Sequence, residues 1–190
     1  NYPTNNSYLK NGTNVNFNCS VFGNALDSLF LYGTFNGTYS RNKTLNGITS
    51  GVLNSFKLNL SEGVYNWTCV TNTTLSTDYY YSNNRNFSMT IDSINPVINS
   101  LSVTTTTGSQ TFVFTSNITE INIYSCNFTL YKANGLDFDS PTYTNKSYNC
   151  INESVIESAV ATYNLSILVV DKAGNSKYSS TLFTISSGNN

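Results

Sequence analysis

Apolar and polar side chains alternate along most of this chain. Val15, Phe17, Cys19 and Val21 alternate with Asn14, Asn16, Asn18 and Ser20. Phe56, Leu58 and Leu60 alternate with Lys57, Asn59 and Ser61; Tyr65, Trp67 and Cys69 with Asn66 and Thr68; Phe87, Met89 and Ile91 with Ser88 and Thr90. A period of two marks a strand with one buried face, because successive side chains of a pleated ribbon point to opposite sides. The second half repeats the pattern loosely. Leu101 and Val103 predict one strand and Phe112 and Phe114 the next. Ile121 and Ile123 run into Cys126, Phe128 and Leu130, with a phase break near Tyr124-Ser125. Tyr163, Leu165, Ile167 and Val169 align with Tyr65, Trp67, Cys69 and Thr71. Helical spacing is nearly absent; its best candidate is residues 153–161, for about one or two turns.

Turn chemistry punctuates these runs. Asn36-Gly37 predicts a hairpin between residues 32–35 and 38–39, with both turn residues at positive φ. Ser61-Glu62-Gly63 and Asp171-Lys172-Ala173-Gly174-Asn175 separate strand pairs in the same way. Pro96 holds the residue before it extended, so Asp92-Ser93-Ile94-Asn95-Pro96 reads as a connector. The expected organisation is a domain over 1–92, a short linker over 93–96 and a domain over 97–190. Each domain then holds about seven strands, the count of a small two-sheet sandwich. The expected class is all-β.

Composition narrows the function. Only 10% of the 190 residues are charged, against roughly 25% in an ordinary soluble domain. The net charge is -1, with no basic stripe, which excludes nucleic acid as a partner. There is no His, so His-based triads and most zinc sites fall away. The ten acids are scattered, and only Asp137 and Asp139 lie two apart, in an apparent loop. Nothing in their spacing forms a carboxylate pair across a cleft, so no catalysis, no metal and no cofactor is expected. Aromatic residues at 14% exclude a disordered chain, and no apolar run approaches the ~18 residues of a membrane span. Asn1-Tyr2-Pro3-Thr4 carries no basic, apolar leader, so any signal peptide is expected to have been removed.

The four cysteines are Cys19, Cys69, Cys126 and Cys150, with no Cys-x-x-Cys pair. An even count without His partners points to two disulfides and an oxidising, extracellular compartment. Three pairings are open. If the halves are separate domains, Cys19–Cys69 and Cys126–Cys150 follow.

Several segments together carry a resemblance. They are Val15-Asn16-Phe17-Asn18-Cys19, Leu31-Tyr32-Gly33, Gly63-Val64-Tyr65-Asn66-Trp67-Thr68-Cys69, and Asn86-Phe87-Ser88-Met89-Thr90-Ile91-Asp92 followed by Pro96. This order resembles the tandem immunoglobulin-like repeats of large archaeal, and some bacterial, cell-surface proteins of the S-layer, filament and adhesin type. The resemblance implies two tandem immunoglobulin-like β-sandwich domains. It also implies a bridge between the second-strand Cys19 and Cys69 of the Gly-x-Tyr-x-Trp-x-Cys strand. The first domain matches almost throughout. The second matches at Ser125-Cys126-Asn127-Phe128-Thr129-Leu130-Tyr131 and at Asp171–Asn175, but lacks the Trp and the Cys in its Tyr163 strand.

Asparagine dominates what remains. There are 31 Asn, 26 Ser and 25 Thr, and fourteen Asn-x-Ser/Thr acceptors against about eight expected by chance. They are Asn5, Asn11, Asn18, Asn36, Asn42, Asn59, Asn66, Asn72, Asn86, Asn117, Asn127, Asn145, Asn152 and Asn164. N-linked glycans there would supply the hydration that missing charges do not. Tyr79, Tyr80 and Tyr81 form a candidate binding cluster, read as a loop. The expected function is structural: a unit of an extracellular glycosylated surface protein, in a filament, stalk or S-layer-like assembly. Its partners are other copies of itself or neighbouring repeats of a longer chain, without membrane insertion in this segment. The alternative is an adhesin or viral fibre module that binds a host glycan or protein. A third reading is a non-catalytic accessory domain of a secreted enzyme.

Overall fold

The computed structural model describes residues 2–81, 86–105, 111–132, 142–145, 153–156 and 161–186. Of residues 76–81, 111, 131–132, 142–145 and 153–156 it describes the backbone alone. Every helix or strand among the described residues is a β-strand. The chain divides into two compact units, Asn1–Ser93 and Ile94–Asn190.

The first unit contains β1 (Ser7–Leu9), β2 (Val15–Ser20), β3 (Leu26–Gly33), β4 (Ser40–Asn46), β5 (Leu53–Leu58), β6 (Gly63–Thr73), β7 (Ser76–Tyr81) and β8 (Phe87–Ile91). One sheet runs β1-β8-β6-β3-β4, and the other is the antiparallel pair β2-β5. β6 is 11 residues long and serves two partners on one edge. Its first half pairs with β8, from Gly63↔Ile91 to Trp67↔Phe87, and its second half with β7. Tyr2 bridges Asn18, and the chain then crosses to the other sheet as β1, parallel to β8.

The alternation read from the sequence is the packing pattern. Val15, Phe17 and Cys19 of β2 are buried, while Asn16 is exposed. They face Leu29, Leu31, Trp67, Cys69 and Met89 of the larger sheet in one core. Cys19 and Cys69 form a disulfide between the sheets, with Cα atoms 6.4 Å apart. It closes a sequence separation of 50 residues, so it removes many conformations from the unfolded chain, at about 2–4 kcal/mol. Trp67 lies two residues away on the same face. Phe17 meets it edge-on at 5.1 Å and Phe87 stacks at 4.9 Å. Its indole N–H finds no acceptor among the described residues, so Trp67 is held by packing. Gly33 opposite Trp67 has no room for a side chain: a Cβ there would lie 2.5 Å from the Phe35 ring and 2.7 Å from the Asn66 carbonyl oxygen.

The second unit contains β9 (Val97–Thr105), β10 (Thr111–Thr119), β11 (Ile123–Lys132), β12 (Thr142–Asn145), β13 (Glu153–Ile156), β14 (Ala161–Asp171) and β15 (Ser176–Ile185). Its sheets are β13-β10-β9 and β12-β11-β14-β15. Phe112 and Phe114 pack with Phe128, Leu130, Tyr163, Leu165, Ile167 and Val169. β14 therefore occupies the place of β6, with buried Ile167 where β6 carries Cys69. Cys126 on β11 is disulfide-bonded; its expected partner, Cys150, lies outside the described residues. A register shift between Ile123 and Ser125 sits at the phase break of the sequence pattern. The chain is thus all-β, with two tandem sandwich units.

Four local expectations are corrected. Glu153–Ile156 is strand β13, paired with Phe114 to Thr111, because a short segment beside an unpaired strand gains a backbone ladder that an isolated helical turn lacks. Residues 157–160 lie outside the described set. Tyr79, Tyr80 and Tyr81 belong to a strand and not to a loop: Tyr80 pairs with Thr71 and Tyr81 with Val70, as suits the β-propensity of Tyr. The Asn36-Gly37 connection spans residues 34–39, and of that pair only Gly37 takes positive φ, at 86°. The longer turn lets Phe35 fold inward to Phe17, at 5.0 Å between rings, which a two-residue turn would not allow. Ile121 precedes β11 and is 92% exposed.

Two stability outcomes follow. Cys19→Ser with Cys69→Ser lowers the stability of the first unit by about 2–5 kcal/mol in guanidinium titrations followed by Trp67 fluorescence. Gly33→Ala lowers it by about 1–3 kcal/mol in the same assay.

Candidate functional site

Three loops meet at one end of the first unit: residues 21–25, 47–52 and 74–75. Backbone groups cross-brace them. Gly51 N–H donates to the Val21 carbonyl at 2.8 Å and Thr74 N–H to the Ala25 carbonyl at 2.8 Å. Gly23 N–H donates to Ser50 Oγ at 3.1 Å. Ala25 is held at φ 53°, a left-handed conformation that costs a non-glycine residue about 1 kcal/mol or more. Between the first and third of these loops and the strands they join opens a pocket of about 380 Å³, lined by Phe22, Gly23, Asn24, Leu26, Thr71, Thr73 and Leu75. Phe22 is 80% exposed and Leu75 83%, although both are large and apolar. None of the lining residues is charged. Sequence reading passed over this pocket. Its one signal was Phe22 directly after inward Val21, an apolar residue out of phase with its strand. β7, with Tyr79, Tyr80 and Tyr81, pairs with β6 beside Thr71 and Thr73.

The glycan acceptors sort into two groups. Asn5, Asn11, Asn36, Asn59, Asn66, Asn86 and Asn117 are exposed. Asn18, Asn42, Asn72, Asn127 and Asn164 are half-buried. Asn145 is described in its backbone only, and Asn152 lies outside the described residues. Several exposed side chains use only their oxygen. Asn11 Oδ1 accepts from Thr13 N–H at 2.7 Å, Asn59 Oδ1 from Asn14 N–H at 2.8 Å, and Asn5 Oδ1 from Ser88 N–H at 2.8 Å. A sugar attaches through Nδ2, so these bonds are compatible with modification.

Asn72 differs. The pairing of β3 with β6 slips between Leu26 and Leu29, which takes Ser28 N–H out of the ladder. Asn72 Oδ1 accepts that N–H at 3.0 Å, and its Nδ2 donates to Asp27 Oδ2 at 3.4 Å. Ser28 Oγ bonds both Asp27 Oδ2 and Asn46 Oδ1. Asn72 is therefore a strut of the fold.

The carboxylates are spent similarly. Asp171 accepts from Asn175 N–H at 2.8 Å and from Asn175 Nδ2 at 2.7 Å, closing the β14–β15 turn in which Gly174 takes φ 86°. Glu62 accepts from Ser93 N–H at 2.7 Å and from the Ser93 hydroxyl, fixing the strand exit. Glu120 accepts from Asn122 N–H. Asp137 and Asp139 lie outside the described residues. Among the described residues no group of three or more His, Cys, Asp or Glu is placed to hold a metal ion. Among them, too, no helix is long and apolar enough to cross a membrane.

No family model and no curated protein sequence matches the chain. Solved structures do. The chain is similar to the FN1-FN3 domains of chicken CNTN1, at 10% identity and a TM-score of 0.52 over 96% of its length and 65% of that chain. It is also similar to fibronectin(III)-like modules of Clostridium thermocellum CbhA, at 12% identity and a TM-score of 0.49, covering 98% of this chain and 93% of that one. A third similarity is to a 1.5-MDa bacterial ice-binding adhesin, at 14% identity and a TM-score of 0.48, over 96% of this chain and 61% of that one. The chain thus spans less than two thirds of the CNTN1 and adhesin chains. The CNTN1 likeness shows a fold: tandem sandwiches of the fibronectin type III and immunoglobulin-like kind.

The strut assignment has a measurable consequence. Asn72→Ala costs the first unit about 1–2 kcal/mol, because Ser28 N–H loses its acceptor, whereas Asn66→Gln changes stability by no more than about 0.5 kcal/mol. Denaturant titration of the two variants distinguishes them.

Proposed function

We propose that this chain is a non-catalytic structural unit of an extracellular, glycosylated surface protein, working in a stalk, filament or surface layer. The observation that carries the proposal is the buried Cys19–Cys69 bridge across the first sandwich, since such bonds persist in oxidising compartments. The use of Asp171, Glu62 and Glu120 as backbone caps supports the same reading. The mechanism is passive. Each sandwich is a stiff body, and load passes along strands whose two sheets cannot part while the bridge holds. The uncharged amide and hydroxyl surface is kept wet by sugars at the exposed acceptors, which also shield strand edges from pairing with neighbours. The partners are further copies or neighbouring repeats of the same kind.

An adhesion role is the second reading. The braced, uncharged pocket at the loop end, with two exposed apolar residues at its rim, is what favours it.

Peptide mapping of the native protein without reduction tests the first proposal. It is expected to find Cys126 linked to Cys150 and sugar on several of Asn36, Asn59, Asn66, Asn86 and Asn117, with Asn72 bare. Unmodified asparagine at every acceptor removes the glycoprotein half. Images of the native assembly are expected to show regularly repeated units; isolated single particles reject the structural half.

A further inference from the structure

We infer that the loop-end pocket of the first unit is a binding site for a neutral pyranose sugar. The volume of about 380 Å³ falls within the range of small-ligand sites and holds one or two sugar rings. Its lining divides by chemistry. Phe22, Leu26 and Leu75 are apolar, while Asn24, Thr71 and Thr73 are polar and uncharged. A pyranose has the same division: an apolar face of C–H bonds and a rim of hydroxyl groups.

Phe22 offers an aromatic face that needs no rearrangement to be reached, being 80% exposed. The Asn24 amide is also exposed, and an amide both donates and accepts, which matches two adjacent sugar hydroxyls. Thr71 is buried in the floor of the pocket, its hydroxyl held by the Ser28 carbonyl at 2.8 Å and the Asn72 carbonyl at 3.2 Å, so the exposed Asn24 amide carries the polar recognition. The alternative occupant is an apolar side chain of a partner protein. It would bury the Asn24 amide and the Thr73 hydroxyl without pairing them, at about 1–3 kcal/mol for each group. An anionic sugar finds no cation among the lining residues. The bracing of the three loops and the left-handed Ala25 hold the pocket open before any ligand arrives, which lowers the ordering cost of binding. The site lies on the chain's own backbone and does not depend on glycans being attached to it. It gives the adhesion reading a ligand class, and it stands or falls separately from the structural role.

The test uses the 190-residue chain labelled with 15N and titrated with the methyl pyranosides of glucose, galactose, mannose and N-acetylglucosamine. N-acetyl-leucinamide serves as the apolar comparison. At least one pyranoside is expected to give saturable amide shifts confined to residues 22–26 and 71–75, with a dissociation constant on the order of millimolar. Phe22→Ala and Asn24→Ala each weaken it at least about tenfold, and Phe22→Tyr retains it. Both side chains are exposed, so a dispersed spectrum shows that the variants remain folded. No saturable shift with any of the four sugars overturns the inference. So do shifts centred elsewhere, shifts that survive Phe22→Ala, or a response to N-acetyl-leucinamide alone.

Discussion

Two thin sheets stay together in the first unit because Cys19 on one is bonded to Cys69 on the other. Among the described residues the smaller sheet has two strands, β2 and β5, and a two-stranded pair is marginal by itself. Its inward face is Val15, Phe17, Cys19 and Phe56, a small apolar area to set against the entropy of ordering the chain. The bridge makes up part of that deficit by restricting the unfolded state, and Trp67 beside it fills the space between the sheets. Phe17, Phe35, Phe87 and Tyr65 are arranged around these groups. In the second unit the smaller sheet gains a third strand. The place of Cys69 is taken there by Ile167, and its disulfide is moved to β11.

Once the core is fixed, the surface is governed by a shortage of charge. Asn, Ser and Thr do the work that Lys and Glu do in most soluble domains. Their side chains reach the backbone easily, and many of them do so here. Asn72 repairs the register slip in β3, Asn59 caps Asn14, Asn5 caps Ser88, and Thr34 Oγ1 accepts from Asn66 N–H at 3.0 Å. The carboxylates are drawn into the same service at Asp171, Glu62 and Glu120. A composition rich in acceptor sequences is therefore not a map of modified sites, because some asparagines are committed to holding the chain together.

The loops at the far end of β6 show how a rigid sandwich leaves room for recognition. The strands fix where the loops start and end, and a few backbone hydrogen bonds between loops set their shape. Apolar residues that cannot reach the core, such as Phe22 and Leu75, are left exposed around an uncharged hollow. A ligand there would meet a surface already formed.

The sequence by itself determined the alternating strands and their inward faces, while the Cys19–Cys69 pairing was one of three until a domain split and a family resemblance favoured it and the structure placed the two cysteines together. A period of two in residues such as Phe17 and Cys19, or Tyr163 and Ile167, is a local property of the ribbon and survives any arrangement of it. The Tyr163 strand could be aligned with the Tyr65 strand for the same reason. Other features depended on contacts far apart in the chain, and only the tertiary structure decided them. Tyr79 to Tyr81 became a strand because β6 extends past β8 and leaves an edge to be paired. Glu153 to Ile156 became a strand because β10 had a free side. Asn72 was one acceptor sequence among fourteen until its amide was seen to bond Ser28, 44 positions away. The pocket drew its walls from two stretches of sequence some 45 positions apart, residues 22–26 and 71–75, so no local pattern announced it. Alternation records which way a side chain points; only folding determines what it then meets.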